Sequence, residues 1–328
     1  MYKITIFLAG CLMLSCCGKR TVADQRVVKT TEAEIYSKTP AFDPDSAYHF
    51  VERQVQFGPR VPNTEAHKAC AQYLVSELER FGAKTYVQEA ELTAYNGDRL
   101  QACNIIGVFN PEQTKRVLLF AHWDSRPYSD QDADENNYRK PIDGADDGAS
   151  GVGVLLEIAR QIGIHGIDIG VDIIFFDAED YGVPSFINSN MPDSWCLGSQ
   201  FWAKNPHVPN YRAEYGILLD MVGSKGATFY RENYSVQYAA PYVERVWNAA
   251  RDLGYGKFFI NADGGGVTDD HVYVHRGRGI PSIDIINYDR DSSHSFGSYW
   301  HTQQDTMDNI DRETLKAVGQ TILEVIYK

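Results

Sequence analysis

Short apolar runs of strand length alternate with amphipathic helical patterns over most of this 328-residue chain. The segments predicted to be strands are 85–92, 102–109, 116–123, 171–176, 216–222 and 280–286. The segments predicted to be helices are 63–81, 148–161, 194–204, 241–253 and a last helix that Asp311 can cap. The run 171–176 is almost continuously apolar, which is typical of a strand that is covered on both faces. Strands alternating with helices predict a three-layer α/β/α fold around a central, mostly parallel twisted sheet.

The N-terminus has the layout of a targeting segment. Lys3 precedes the apolar run Ile4–Leu14, which is too short to span a bilayer and is typical of a signal peptide. The run ends in Leu-Ser-Cys-Cys, which resembles a bacterial lipoprotein cleavage box, so residues 1–17 are predicted to be a lipoprotein signal peptide region with the lipid at Cys16 or Cys17. An ordinary signal peptide with incidental cysteines is the alternative. We expect an exported protein of the periplasm, outer membrane or cell surface that contacts the membrane only through this lipid anchor.

The remaining sequence divides into a polar tether, residues 18–40, and one domain, residues 41–328. The chain has a net charge of -13, whereas binding to nucleic-acid phosphates needs a basic surface, so we expect no nucleic-acid partner. Three cysteines of the domain (Cys70, Cys103 and Cys196) permit at most one disulfide, and the domain must depend on its core for stability. We expect a monomer.

Five polar clusters follow apolar runs or precede a helix, where a parallel sheet places its ligand site. They are His122–Ser125, Asp177–Asp180, Asp220, Trp300–Thr302 and Gly144–Gly148. Any single cluster is more often a solvated turn, but five at one predicted edge indicate a functional cleft. Carboxylates in a cleft repel one another, and a cation is the usual compensation. Asp and His are suitable zinc ligands, and three protein ligands leave one coordination position for substrate.

Several of these motifs resemble those of the zinc aminopeptidase superfamily. They are Gly144–Gly151 (GADDGASG), Phe175–Asp180 (FFDAED), Leu218–Gly223 (LLDMVG) and His301-Thr302 with Asp305-Thr306. Three further features resemble the glutaminyl cyclase branch of that superfamily: Trp300 directly before His301, the run Asp269-Asp270-His271, and Phe296. The resemblance runs from about residue 50 to the C-terminus. It implies a zinc-dependent glutaminyl-peptide cyclotransferase, which converts the N-terminal Gln of peptides or proteins to pyroglutamate and releases ammonia.

The resemblance also implies roles, position by position. The ligands of a single zinc ion per chain would be Asp147, Asp180 and His301. The catalytic groups would be Glu179 as general acid/base, Asp220 and Asp269. The pocket for the glutamine side chain would be lined by Trp300 and Phe296.

The sequence departs from the family pattern at three places. Asp180 stands where many relatives have Glu, which is one methylene longer. The pocket tryptophan of animal cyclases has no counterpart in 183–186, and Trp195 is the candidate substitute. The segment Arg126–Asp143 looks like an insertion that is either a lid or, as the simpler expectation, a solvated loop.

Two other functions are compatible with the residues. In a two-metal zinc aminopeptidase, His122 and Asp220 would bind a second ion. Asp180 in place of Glu, Trp300 and the Asp269-Asp270-His271 run weigh against that reading. A non-catalytic binding protein on an enzyme-like fold would need a dead site, whereas every expected acidic and histidine position is filled.

Overall fold

The central strands present alternate side chains to two separate apolar cores. In β3 (Arg116–His122), Leu119 enters one core and Phe120 enters the other, since successive side chains of a strand point to opposite faces. The computed structural model describes residues 39–328, and Thr39–Lys328 forms one compact unit. Helices cover both faces of the sheet, which confirms the predicted three-layer α/β/α class.

The main sheet has six strands. Their spatial order is β1 (Lys84–Thr93), β2 (Arg99–Phe109), β4 (Gly170–Phe176), β3, β5 (Gly216–Asp220) and β8 (Ser282–Ile286). The four strands β4, β3, β5 and β8 are mutually parallel, whereas β2 pairs antiparallel with both β1 and β4. A separate parallel pair consists of β6 (Phe229–Arg231) and β7 (Phe259–Asp263). The parallel half of the sheet is the part that positions the predicted site, because ligands bind beyond the carboxyl ends of such strands.

Seven α-helices are found within residues 39–328. The larger core is packed by α1 (Pro44–Val55), α2 (Glu65–Arg80), α3 (Ala149–His165), α5 (Asn233–Asp252) and α7 (Arg312–Tyr327). The opposite face is packed by α4 (Leu197–Lys204) and α6 (Asp270–Arg278). The Asp311 side chain accepts a hydrogen bond from the Thr314 amide, which confirms the predicted cap of the last helix.

All six predicted strands and all five predicted helices are present, with ends that differ by a few residues in most cases. The exception is α5, which begins at Asn233 rather than at Pro241. Pro241 lies inside this helix, beside a non-helical Ala239 (φ -149°, ψ 34°), so a kink joins two helical pieces where the sequence indicated a helix start. The helices α1 and α6 and the short strands β6 and β7 were not predicted.

Cys70, Cys103 and Cys196 are free thiols in the structure. The predicted signal peptide region, both candidate lipid-modified cysteines and nearly all of the tether lie outside the described residues. Within 39–328, no helix combines the length and the apolar character that crossing a membrane requires.

Candidate active site

The predicted polar clusters meet at the carboxyl edge of the parallel strands. His122 is the last residue of β3 and Asp220 is the last residue of β5, while Asp177–Asp180 follows β4 directly. Asp147 lies in the turn immediately before α3. In a sheet that is covered by helices on both faces, ligands bind at this edge. The clusters recur along the chain because each one follows a different strand or precedes a helix at that edge.

Three of the predicted residues form a buried group that can hold a metal ion. The ligand atoms of Asp147, Asp180 and His301 all lie within 4.8 Å of one another. His301 Nε2 is 3.1 Å from Asp180 Oδ1 and 3.4 Å from Asp147 Oδ2. Asp147 Oδ2 and Asp180 Oδ2 are buried without a hydrogen-bond donor, which is costly for carboxylate oxygens unless a cation completes them. One nitrogen and two oxygen donors fit a zinc ion with one position left open.

His122 lies beside this group and shares Asp147 with it. Its Nε2 is 3.0 Å from Asp147 Oδ1 and 3.2 Å from Asp220 Oδ1, and these three residues form a second group with metal-binding geometry. Burial by itself lowers the pKa of His122, but the carboxylates of Asp124, Asp147 and Asp220 raise it well above its ordinary value. His122 can therefore act either as a metal ligand or as a cation that neutralises part of the carboxylate charge.

Glu179 lines the same cavity as the Asp147, Asp180 and His301 group and lies close to Asp269. Its Oε1 accepts a hydrogen bond from Cys196 Sγ at 3.1 Å, and Glu179, Cys196 and Asp269 have ligand atoms within 4.8 Å of one another. Burial and the nearby Asp269 carboxylate raise the pKa of Glu179 well above its ordinary value. Burial also raises the pKa of Asp220, to about 8. Carboxyl groups tuned in this direction are suited to proton transfer near neutral pH.

Two buried carboxylates fix the backbone that carries the site residues. Asp124 accepts hydrogen bonds from the amides of Glu179 and Asp180, at 3.1 and 3.2 Å. Asp305 accepts in the same way from the amides of Asp146 and Asp147, at 2.8 and 3.1 Å. Each carboxylate thus orders a pair of consecutive residues, one of which is a predicted zinc ligand, through charge-assisted hydrogen bonds.

The backbone is strained at the same edge. Ala178, Met221 and His301 have left-handed φ angles of 52°, 48° and 53°. This region costs a residue with a Cβ roughly 1–2 kcal/mol. Strain of this kind persists only where the surrounding contacts over-determine it, and it clusters at functional sites.

A cavity of about 300 Å³ opens onto these groups and is walled by aromatic rings. Trp300 stacks on His301 with ring centroids 3.7 Å apart, and Phe296 packs against Trp300 at 4.8 Å. Trp195 lies parallel to His301 at 6.0 Å and lines the cavity, so it occupies the place for which the sequence offered it as a candidate. A larger groove of about 900 Å³ between α2 and β1–β2 contains none of the predicted site residues.

Every predicted site residue lines this cavity: Asp147, Glu179, Asp180, Asp220, Asp269, Phe296, Trp300 and His301. The expectation of a solvated loop for Arg126–Asp143 is wrong at its start, because Arg126 is fully buried and Asp130 is 3% exposed. Residues 134–137 are exposed or half-buried, as a loop would be. This burial comes from contacts with residues that are distant in the sequence, such as the Asp180 carbonyl and the Ser185 amide, for which the sequence carries no local signal.

The fold and the buried Asp-Asp-His group define an α/β enzyme of the zinc-exopeptidase type. The chain belongs to peptidase family M28, whose model matches residues 104–326. It is 71% identical to a solved glutaminyl cyclase from Tannerella forsythia, covering 88% of this chain and 99% of that one (TM-score 0.87). It is also 71% identical to a solved Zn-dependent exopeptidase from Parabacteroides distasonis, covering 89% and 100% (TM-score 0.88). Bovine glutaminyl-peptide cyclotransferase is 27% identical over an alignment of 294 residues that covers 81% of this chain and 77% of the bovine one.

Proposed function

We propose that this chain is a glutaminyl-peptide cyclotransferase, which closes the N-terminal Gln of a peptide or protein into pyroglutamate and releases ammonia. The observation that carries the proposal is one small cavity that joins three kinds of group. They are the zinc-binding triad, the acidic residues Glu179, Asp220 and Asp269, and an aromatic wall. A solved relative with 71% identity over nearly its whole length is a glutaminyl cyclase.

We assign one zinc ion per chain to Asp147, Asp180 and His301. When bound there, zinc supplies a Lewis acid that polarises the γ-carbonyl group of the substrate glutamine. The residues contribute two negative charges and one neutral donor, so the site carries no large excess charge when the ion is present. The apolar faces of Trp300 and Phe296 form the cavity wall against which the glutamine side chain would fold.

The reaction joins the α-amino nitrogen of the substrate to the carbon of its own γ-amide. At neutral pH that amino group carries an extra proton, so it cannot attack until a base removes it. Glu179 lies in the cavity and would take this proton, and then deliver it to the γ-amide nitrogen as its bond to carbon breaks and ammonia leaves. The freed Glu179 carboxylate would then accept the second proton that the ring nitrogen must lose and pass it to solvent. Asp220 and Asp269 would hold the α-amino group, since both carboxyl groups line the same cavity.

Because the attack is intramolecular, much of its entropic barrier is already removed by the connectivity of the substrate. The residues of the site therefore have two tasks, which are folding the side chain back and stabilising the charge that develops. The aromatic wall serves the first task, and the buried, ordered polar groups serve the second.

A Gln-initiated dipeptide tests the proposal directly. The protein without residues 1–38, supplied with zinc, should yield a product lighter by one ammonia with its peptide bond intact, as measured by mass spectrometry. Release of free glutamine and the second amino acid would identify a peptidase instead. No product of either kind would leave only a binding function.

A two-metal aminopeptidase is the second candidate, and one observation favours it. His122, Asp147 and Asp220 form a buried group with metal-binding geometry next to the first, as a two-metal site would require. Metal analysis of the zinc-saturated protein separates the candidates, because the cyclotransferase proposal expects one zinc per chain and the aminopeptidase expects two.

We also propose that the protein is an exported, lipid-anchored monomer, on the basis of residues 1–17 and the polar stretch that follows them. The full chain expressed in a bacterial host should carry a lipid that is lost when Cys16 and Cys17 are both replaced by Ser, as measured by mass spectrometry. An unmodified and fully secreted wild-type protein would indicate an ordinary signal peptide.

A further inference from the structure

We propose that Arg126 and Asp130, named here the brace, are positioning residues that orient two of the three zinc-site residues, Asp180 and His301. The brace lies in the segment that the sequence marked as an insertion. The proposal rests on the zinc site of the proposed function, and not on which reaction that site performs.

The brace is a buried, two-pronged ion pair. Arg126 Nε donates to Asp130 Oδ1 at 2.7 Å, and Nη2 donates to Oδ2 at 2.8 Å. Neither side chain is more than 2% exposed. Asp130 Oδ2 also accepts a hydrogen bond from the Ser185 amide at 2.7 Å, and the Asp130 carbonyl accepts one from Ser185 Oγ at 2.7 Å. A planar guanidinium that is bound by both oxygens of a carboxylate has one orientation, so the direction in which its remaining nitrogen, Nη1, donates is also fixed.

The remaining nitrogen of Arg126, Nη1, contacts a predicted zinc ligand. Nη1 donates to the carbonyl oxygen of Asp180 at 3.0 Å and lies 3.6 Å from Asp180 Oδ1. The guanidinium carbon is 4.5 Å from the ring centroid of Trp195, which lines the cavity. One arginine therefore contacts both the backbone of a metal ligand and an aromatic residue of the substrate pocket.

The Asp130 carboxylate lies on the Nδ1 side of His301, whereas the predicted zinc site is on the Nε2 side. His301 Nε2 points to Asp147 and Asp180, while Nδ1 lies 3.6 Å from Asp130 Oδ1. The Gln131 amide, next to Asp130, donates to the His301 carbonyl at 3.1 Å, where the His301 backbone is left-handed. Metal-binding histidines almost always present the second ring nitrogen to a carboxylate, a carbonyl or water, which fixes the ring and its tautomer.

A second Arg–Asp pair, with a buried aspartate and a partly buried arginine, shows what a purely structural pair looks like in this chain. Arg116 Nε and Nη2 donate to Asp172 Oδ2 and Oδ1 at 2.6 and 3.0 Å. Arg116 is the first residue of β3, whereas the site lies at the other end of that strand. The two pairs share their two-pronged geometry, and Asp172 is buried as Asp130 is, although the Arg116 side chain is partly exposed (11%) and that of Arg126 is not. Only the brace contacts Asp180 and His301.

The experiment measures zinc affinity by competition with a chelator, together with kcat and KM, for Asp130→Asn and for Asp172→Asn as its matched control. Asp130→Asn removes the negative charge behind His301 with little change in shape. We expect zinc to bind about 10–100-fold more weakly, the usual effect of losing an outer carboxylate partner. Asp172→Asn should lower the unfolding temperature and leave zinc affinity at the wild-type value. Equal zinc affinity in folded Asp130→Asn and in wild type would overturn the proposal.

A double variant covers the case in which Asp130→Asn does not fold. Arg126→Met with Asp130→Leu replaces the whole pair by apolar side chains, a change that buried ion pairs often tolerate. This variant should also bind zinc at least 10-fold more weakly, and wild-type affinity in it would overturn the proposal. Zinc affinity is measured without substrate. The outcome therefore stands even if no Gln-initiated peptide is cyclised, a result that would count against the proposed function alone.

Discussion

Replacing Glu179 by Gln removes proton transfer at this position while it keeps the shape and the contacts of the side chain. Gln has the same shape, and its amide oxygen can still accept the hydrogen bond that Cys196 Sγ donates at 3.1 Å. The backbone bonds of residue 179, from its amide to Asp124 and from the Cys196 amide to its carbonyl, are unchanged by the substitution. What the variant loses is a group that can accept and return a proton.

The expected size of the effect follows from that loss. General acid–base catalysis contributes about 10²–10⁴-fold, which corresponds to roughly 2.7–5.4 kcal/mol of transition-state stabilisation at about 1.36 kcal/mol per factor of ten. We therefore expect kcat to fall by about 10²–10⁴-fold. Zinc content should be unchanged, because Glu179 is not one of the proposed ligands. The free energy of unfolding should not decrease, because a buried negative charge that faces Asp269 has been removed.

The assay is ammonia release from a Gln-initiated dipeptide by zinc-replete protein, with metal content and thermal unfolding measured on the same sample. Glu157→Gln is a matched control, since Glu157 is a buried glutamate of α3 whose partners include Arg160 and Gln161. That change can lower the unfolding temperature but should leave kcat at the wild-type value. A folded, zinc-replete Glu179→Gln variant with a kcat within tenfold of wild type would refute the assignment of Glu179 as the proton carrier.

Three further predictions concern the metal, the pocket and stability. His301→Ala should weaken zinc binding by more than the roughly 10–100-fold of an outer-sphere change, as measured by chelator competition, and unaltered affinity would remove His301 from the ligand set. Gly182→Ala would place a Cβ inside the Trp195 ring, so the ring must move and KM for the dipeptide should rise; an unchanged KM would exclude Trp195 from the substrate pocket. Burial would raise the pKa of Glu232, but the contact with His271 and backbone amides hold it below its usual 4.5. The resulting stabilisation is complete above that value and is lost as pH falls through the folded-state pKa. The gap in unfolding free energy between wild type and Glu232→Gln should therefore be largest at neutral pH and shrink in acid; a gap that is independent of pH would contradict this sign.

The parts of the fold that sequence predicts well are those with strong local signals. The run 171–176 is apolar except for Asp172 because β4 lies at the centre of the sheet, and the cap at Asp311 is a local side-chain to backbone bond. By contrast, α6 has few apolar side chains among its nine residues, and its start at Asp269 was read only as part of a chemical motif. Asp269 is both the N-cap of this helix and a predicted site residue. Its polar neighbours were interpreted as a site motif, and the start of a helix was therefore not predicted.

The same distinction applies to the site. The motif residues could be placed at one edge of the sheet, because strand ends determine where their side chains go. Trp195 was named only as a candidate and the brace was not predicted, since both lie in loops that are ordered by contacts with distant residues. The Ser185 amide donates to Asp130 across 55 positions, and the Arg126 guanidinium carbon lies 4.5 Å from the ring centroid of Trp195. Contacts of this kind leave no periodic pattern in the sequence.

Asp180, at a position where the family resemblance predicts Glu, gives the brace a physical reason. A glutamate ligand has an additional rotatable bond, so its carboxylate can adjust to the metal even when its backbone varies. Asp180 has one methylene fewer, and the position of its carboxylate follows its backbone more closely. In this chain the Asp180 backbone is fixed from both sides, since its amide donates to Asp124 at 3.2 Å and its carbonyl accepts from Arg126 at 3.0 Å. A shorter ligand needs a more precisely held backbone, and the segment that begins at Arg126 supplies one of the two contacts that hold it.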